Sequence, residues 1–583
     1  MFAKDKKSGF SFKAYRGAQM TLLTMDLDQK PVDDSLAGFT LEYTGPGKPR
    51  TPLKNLINFA GTDGVTSSVD SPFQAFKWVH FPGSFSQVPV PFGNWDYHAT
   101  PRFFDANKTL LPLDAAKTVS VTLPVGDFQK GGIGVGFTRA FMKSQAYANH
   151  FGANTRLKPN DATGANWLFD TTRKAGNKNG HDFTYEDMYI WLGYTARQQV
   201  YDLLDEAIGD GTTEIEMFAY DLNDPGVAER CLQLAAVGRI KIILDNAALH
   251  TTAAGAANLS EEDDFEQRFI AAAGAGAEVF RCRFGRYSHC KVIILKKNGN
   301  AVRVLTGSTN FAVTGLCVNA NHVIIYDRAD VAKYYSDVFN FCWQDGKAGT
   351  FRPSIFATNT KVFSGSGLPR TEIEFSPHDE PYAQNLLDTI TEHIQKPSTK
   401  SVLFAVMEMG DNSTGSLIRA LRDLHKNDAI YTYGVTDNSS GDISLYKPGR
   451  KNGLLIDAKK AKRELPPPFK TEPNLPGHAI HHKFVITNFN KSSARVYCGS
   501  SNLALGGEKA NGDNLICIKN QDVATAFAIE AMRLTDHYNF RSVREPDVGQ
   551  PNQTPKKLDD TGKWVNKFFD PADIRFVERK TLA

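Results

Sequence analysis

At 583 residues the chain is too long for a single ordinary core, and 41% hydrophobic with 22% charged residues is the composition of a folded globular protein rather than a disordered or fibrous one. A formal net charge of +3 is too small to mark a dedicated polyanion binder, so no stable nucleic-acid partner is expected. Seven cysteines, an odd number with no C-x-x-C pair, argue against a disulfide framework or a zinc site, and no apolar run approaches the ~20 residues of a membrane span.

The start, Met1-Phe2-Ala3-Lys4-Asp5-Lys6-Lys7, lacks the apolar segment of a secretory signal, so a cytoplasmic protein and a secreted chain without a recognisable signal fit equally. From 10 to about 125, short β-rich runs at 20–25, 38–43, 73–79 and 118–123 alternate with Pro and Gly turns. That spacing predicts a β-sandwich of immunoglobulin or fibronectin type over 1–130. Two aromatic loops, Phe81-Pro82-Gly83-Ser84-Phe85 and Pro91-Phe92-Gly93-Asn94-Trp95, read either as contacts for a partner or membrane or as packed turns. Gly131-Gly132-Ile133-Gly134-Val135-Gly136 completes neither dinucleotide-type nor P-loop spacing, and reads as a flexible connection opening a linker over 131–190.

Beyond it, helical and strand patterns alternate: helix 195–208, strand 214–220, helix 225–236, strand 240–244 ending at Asp245, then strand 322–326 and helix 329–342. The plan repeats with helix 383–394, strand 402–406, helix 414–425, strand 429–435 with Asp437, strand 515–518 and helix 521–537. Asp245 and Asp437 are 192 residues apart. This predicts two α/β halves, 191–350 and 351–583. Between Asp245 and the first motif lies an acid- and Ala-rich helical stretch, 261–273. The matching gap, 447–476, holds Lys, Gly and Pro, including Leu465-Pro466-Pro467-Pro468-Phe469, and reads as a lid or as a solvated connection.

The chemistry-bearing residues recur with the same offset. His289-Cys290-Lys291 and an apolar run lead to Gly307-Ser308-Thr309-Asn310; His481-His482-Lys483 and an apolar run lead to Gly499-Ser500-Ser501-Asn502. Each member of the first set lies 192 residues before its counterpart. One His-x-Lys on a strand is usually accidental, but two in register with Gly-Ser-x-Asn indicate a duplicated site. Cys290 reads as a small apolar filler. His478 and His482 suggest a metal site with His481, but strand alternation turns His482 away from His481 and Lys483, which favours packing. No acidic cluster of metal-ligand type accompanies the motifs, so neither metal nor cofactor is expected.

These residues resemble the phospholipase D superfamily. The resemblance implies two pseudo-symmetric α/β halves sharing one cleft, in which one His forms a phosphohistidine while the other protonates the leaving oxygen and then activates water or an alcohol. Lys291, Lys483, Asn310 and Asn502, with Ser308 and Ser500, would bind the phosphoryl oxygens. The family's Asp five positions after the Lys is replaced by Lys296 and Asn488. The resemblance also implies an orienting group some thirty residues after each His: Asp513 for His481, Asn319 or Asn321 for His289. Asp513 capping a turn is the alternative. A carboxylate favours the charged ring, so this pairing makes His481 the acid and His289 the nucleophile. The expected activity is that of a monomeric phospholipase D acting on phospholipid at a membrane or micelle surface, with transfer to alcohols as a second outcome. A metal-independent nuclease of the same superfamily is the alternative enzyme, and a non-catalytic adaptor the alternative class.

Overall fold

In the strand Val119–Val125 every second residue is buried, the mark of a strand with one face on a core. It belongs to a four-stranded sheet with Gly93–Phe103, Leu36–Thr44 and Thr51–Pro52, next to a second of Phe2–Lys7, Phe10–Arg16, Thr21–Leu27 and Lys77–His80. Both sheets feed one core, including Phe12, Leu23, Phe39, Tyr97 and Val121. The computed structural model describes residues 1–62, 64–82, 91–140, 145–152, 155–409, 415–427, 429–438, 453–457, 479–542 and 557–583. The expected aromatic loop from Gly83 to Phe85 lies outside them. So does 447–476, apart from the strand Gly453–Asp457.

Residues 557–569 close this same core, whereas the sequence assigned them to the second α/β half; Leu582, further on, is buried in the core that holds the large sheets together. Val565 and Phe568 are buried in the N-terminal core, the Trp564 indole donates to Leu36 O at 2.8 Å, and Leu558 N–H donates to Asn58 O at 3.0 Å. The cluster Trp564-Val565-Asn566-Lys567-Phe568-Phe569 is too short to show a period, but its apolar surface has to be covered. The N-terminal sheets cover it.

Two eight-stranded mixed sheets make up the rest. One runs Phe128–Lys130, Ile133–Phe137, His322–Tyr326, Asn300–Gly307, Val292–Lys297, Thr213–Ala219, Ile240–Asp245, Glu278–Cys282. The other runs Lys361–Gly365, Leu368–Phe375, Asn514–Lys519, Arg495–Gly499, Lys483–Thr487, Ser401–Glu408, Tyr431–Asn438, Gly453–Asp457. In each, the last three strands are mutually parallel and all other neighbours antiparallel. Asn298 and Gly299, both at positive φ, turn Val292–Lys297 into Asn300–Gly307, as an Asn-Gly hairpin should.

The glycines of 131–136 are therefore not a flexible connection. Gly131 and Gly132, at φ 57° and 84°, make a tight turn into the fully buried strand Ile133–Phe137. A Cβ on Gly136 would lie 2.8 Å from Thr195 O, so glycine is what allows the strand to approach the helix behind it. Nor is 138–190 a linker: Tyr147, Trp167, Phe183, Met188 and Tyr189 are buried with Val200 and Leu203 in the core on that face. The helix expected at 195–208 runs Tyr185–Gly209, opened by a Thr184/Asp187 capping box and kinked at Tyr194, where φ is 47°.

Alternation sorts the motif strands. Val292 and Ile294 point into a core shared with Phe484 and Ile486 of the other sheet, while Ile293 and Leu295 face the first sheet's own helices and Val485 the second's. No described helix is long and apolar enough to cross a membrane. Docking of the C-terminal segment predicts that Phe568→Ala, which opens a hole against Phe76 and Trp564, destabilises the protein by about 3–5 kcal/mol. Denaturant unfolding followed by tryptophan fluorescence checks this, and a loss below about 1 kcal/mol would mean the segment is only loosely attached.

Candidate active site

Each motif His sits just before an inner strand, His289 three residues ahead of Val292–Lys297 and His481 two ahead of Lys483–Thr487, and the backbone around it is held twice. Asp245, at the end of a parallel strand, accepts the Ser288 N–H through Oδ1 at 2.5 Å; Asp437 does the same for Ile480 N–H at 3.0 Å. The second hold comes from the opposite half. Gly512 N–H donates to Tyr287 O and accepts His289 N–H through its carbonyl, both at 2.8 Å; Ala320 N–H donates to Ala479 O at 2.8 Å and Ala320 O accepts His481 N–H at 3.0 Å. These backbone bonds interlock the two sheets across the cleft.

The same crossing fixes the rings, and it corrects the sequence-based pairing. Asp513 does not hold His481. Its Oδ1 accepts from His289 Nδ1 at 2.6 Å, while Asn321 Oδ1 accepts from His481 Nδ1 at 2.9 Å, with Ser308 O at 3.1 Å from the same nitrogen. The orienting residues carry the expected 192 offset, but each works on the other half's His because the crossing backbone places it there. Asn319 only borders the site, its carbonyl accepting from Thr138 Oγ1 at 2.7 Å. Since every Nδ1 partner is an acceptor, both Nδ1 atoms carry hydrogen and both Nε2 atoms are left for chemistry.

Ser308 and Ser500 are also corrected, from substrate contacts to positioning groups. Both are fully buried. Ser308 Oγ donates to Asn321 Oδ1 at 2.8 Å and accepts His322 N–H at 3.1 Å; Ser500 Oγ accepts Asn514 N–H at 3.0 Å. Asn488, in place of the family's Asp, takes the turn conformation with φ 53° and accepts Lys400 N–H at 2.8 Å, whereas Lys296 pairs with Glu214 and Glu216 at 3.0 Å each. His482 lies on the opposite face from His481 as expected, stacked on His322 and 3.0 Å from Glu530 Oε1. His478 lies outside the described residues.

Lys291 and Lys483 are buried, each beside its own motif His. Lys291 Nζ bonds to His289 O; Lys483 Nζ bonds to His481 O at 2.8 Å and sits 3.2 Å from His481 Nε2. Burial lowers Lys291 to about 8, and burial together with Lys291 takes Lys483 well below its ordinary range. His289 is likewise pushed down to about 4 by burial, against the pull of Asp513. Burial works to raise the Asp513 carboxyl, but His289 and Lys291 more than offset it and hold it below the ordinary range. Asn310 and Asn502 flank the site, and the Oδ1 of each has no partner among the described residues.

Sequence reasoning missed a second shell on the first-half side. The Tyr220 ring meets His289 edge-on at 4.5 Å and lies 4.4 Å from Lys291 Nζ. Next to it, Asp221, His250 and Glu262 bring one ligand atom each within 4.8 Å of one another, where no metal-ligand cluster was expected. Their separation in sequence hides them. Only Asp221, just past the strand Thr213–Ala219, stands where functional groups gather in α/β sheets, at a strand's carboxyl end.

The electrostatics predict that His289 stays neutral at pH 5–7, titrating near 4, and that Asp513→Asn lowers it further by removing the charge that favours the imidazolium. Because an unfolded His titrates near 6.5, the folded state binds fewer protons between about pH 4 and 6.5, and this contribution to stability, intact above 6.5, is lost as pH falls toward 4. Imidazole NMR titration checks both statements, and a His289 transition at or above 6.5 would contradict them.

No protein-family model matches the chain, and no curated protein matches its sequence. Among solved structures, phosphatidylserine synthase from Haemophilus influenzae Rd KW20 matches 67% of this chain and 92% of its own at 12% identity, TM-score 0.42. Nuc from Salmonella typhimurium, a phospholipase D family member, matches 26% of this chain and 89% of its own at 24% identity, TM-score 0.20. Polyphosphate kinase from Porphyromonas gingivalis matches 66% of this chain at 12% identity, TM-score 0.38; the match spans 54% of that enzyme, about half its length. The residues that resemble the phospholipase D superfamily, two His-x-Lys and Gly-Ser-x-Asn sets, meet where the two eight-stranded sheets join.

Proposed function

We propose that the chain is a phospholipase D-type phosphodiesterase that hydrolyses phospholipid head-group esters, or transfers the phosphatidyl group to an alcohol, through a phosphohistidine. One observation carries this: two His with fixed Nδ1–H tautomers, each held by a residue from the opposite half, with a buried Lys beside each. On this reading the two eight-stranded sheets are a duplicated α/β domain related by a pseudo-twofold axis, the N-terminal sheets form a sandwich beside it, and the protein acts as a monomer.

His289 is the nucleophile. It is neutral at working pH, and its Nε2 attacks phosphorus while Asp513 stabilises the positive charge the ring acquires. Lys291, Lys483, Asn310 and Asn502 surround the phosphoryl oxygens and offset their growing charge. His481 gives its Nε2 proton to the departing alcohol oxygen as the P–O bond breaks. His481 enters this step as the imidazolium, its Nδ1–H resting on the oxygens of Asn321 and Ser308. His481, now neutral, takes a proton from water or an acceptor alcohol, whose oxygen attacks phosphorus and expels His289. With Asp513 on His289 rather than on His481 as expected, the same nucleophile now rests on the positive charge that its ring acquires on bonding to phosphorus.

A lipid substrate is favoured by the near-balanced charge of +3, which suits a single phosphodiester at an interface better than a long polyanion. Exposed apolar side chains such as Phe92 and Trp78, on the N-terminal sheets and their loops, suit the same interface. His289→Ala and His481→Ala should each lower turnover of phosphatidylcholine vesicles by at least about 10³-fold, with little further loss in the double variant, because the residues act as one unit. With a substrate bearing a good leaving group, His481→Ala should still trap phosphate on His289 in rapid-quench peptide mapping. Label on His481 in the unmodified protein would reverse the assignment, and no label on either would remove covalent catalysis. Faster cleavage of DNA than of vesicles would select the nuclease alternative.

A further inference from the structure

The Asp221, His250 and Glu262 cluster belongs to none of these steps. Asp221 follows the strand Thr213–Ala219, His250 lies in the loop after Ile240–Asp245, and Glu262 is in the first turn of the Ser260-capped helix Glu261–Ala272. His250 and Glu262 are buried and Asp221 half-buried. Asp245 Oδ2 takes His250 Nδ1 at 2.8 Å, so the ring turns its other nitrogen, Nε2, toward a ligand, the arrangement that protein metal sites use to fix an imidazole. Asp245 thereby serves two tasks, since its Oδ1 also anchors Ser288 before His289.

A second observation comes from outside the cluster. Asn310, 7% exposed, turns its amide onto Asp221 with Nδ2 3.4 Å from Oδ2, while its Oδ1 has no partner among the described residues. Charge points the same way. Asp221, Glu262 and Asp245 are three carboxylates around a single imidazole, and the nearby Arg281 guanidinium is committed to Asp263 and Glu266 at 2.6 and 2.8 Å. Carboxylates drawn together away from water need a cation or a shared proton.

We propose that Asp221, His250 and Glu262 bind one borderline divalent cation of the Zn²⁺ class, with Asn310 Oδ1 as a fourth, oxygen ligand. One imidazole with carboxylate and amide oxygens is a donor set for Zn²⁺ rather than for Ca²⁺ or a soft thiophilic ion. Ligand bonds of about 2.0–2.2 Å require donors roughly 3.4 Å apart, which small side-chain rotations reach from the present spacing. The cation holds Asn310 of the first Gly-Ser-x-Asn motif in place and masks the negative Asp221 from an incoming phosphate. It contributes no atom to phosphoryl transfer, and its presence is independent of whether the substrate is a lipid.

The test uses the full chain stripped of metal and titrated with ZnCl₂, followed by calorimetry and by thermal unfolding. The unmodified protein should bind one equivalent saturably, and its melting temperature should climb with Zn²⁺ by mass action. His250→Ala and Glu262→Gln should each weaken binding by at least about tenfold and abolish the thermal shift. Glu262→Gln is nearly isosteric and removes a buried charge, so it folds and serves as the reference against a variant that does not. No saturable Zn²⁺ binding by the unmodified protein would overturn the proposal, as would equal affinity in Glu262→Gln. A Glu262→Gln protein that is more stable, with no Zn²⁺ shift in the unmodified chain, would show instead two carboxyls sharing a proton.

Discussion

An imidazole buried beside two ammonium groups keeps one tautomer only if something accepts the hydrogen at its Nδ1, and here each acceptor comes from the other half of the chain. Everything around the cleft serves that crossing. The reciprocal backbone bonds at Gly512 and Ala320 set the separation of the two halves, and a single core containing Val292, Ile294, Phe484 and Ile486 keeps the sheets from sliding. Burying each such side chain is worth about 1.5–3 kcal/mol, ample to hold a few hydrogen bonds in register. Neither half alone has an oriented histidine.

Negative charge around the two buried lysines is limited. Asp513 already holds His289, and Asp221 and Asp245 offset the burial of Lys291 only in part. Burial has drawn both lysines down toward their neutral forms, one of them to about 8. On the proposed function, a phosphodiester arriving beside them would add negative charge, favour both ammonium forms and draw Lys483 from His481 Nε2, where it now sits at 3.2 Å. On that reading substrate binding would charge the site that stabilises it and free the nitrogen that carries the proton to the leaving group.

What could be read in the sequence was whatever depends on periodicity or on a constant offset. His289, Lys291, His481 and Lys483, the strands that carry them, and the pairs Asp245/Asp437 and Asn321/Asp513 all follow from these. What could not be read depends on which segments cross in space. The offset shows that Asn321 and Asp513 are equivalent; it cannot say that each crosses to the opposite ring. Glycines at 131–136 look flexible in sequence because their close approach to Thr195 O is a tertiary fact, and the Trp564 to Phe569 cluster has no period that would name the N-terminal sheets as its partner. Asp221, His250 and Glu262 come from three separate elements and share no spacing rule.

The proposed mechanism needs one neutral ring and one protonated ring, and the surroundings of the two rings are not identical. The departures from symmetry cluster where that difference has to be made. Asp513 faces Asn321; behind the rings, Cys290 and Asn514 of the first position are matched by His482 and His322 at the second. On one side Asn514 Nδ2 closes a neutral bond to Thr306 Oγ1 at 2.6 Å, whereas on the other His322, His482 and Glu530 run in contact to Arg533, fully within the core. The charged partners therefore sit in front of His289 and behind His481. Asp513 touches His289 Nδ1 directly, where on the proposed mechanism it steadies the ring that bonds to phosphorus, while His481 Nδ1 touches only neutral oxygens, the charged groups behind it being kept at one remove by Ser308 and Asn321.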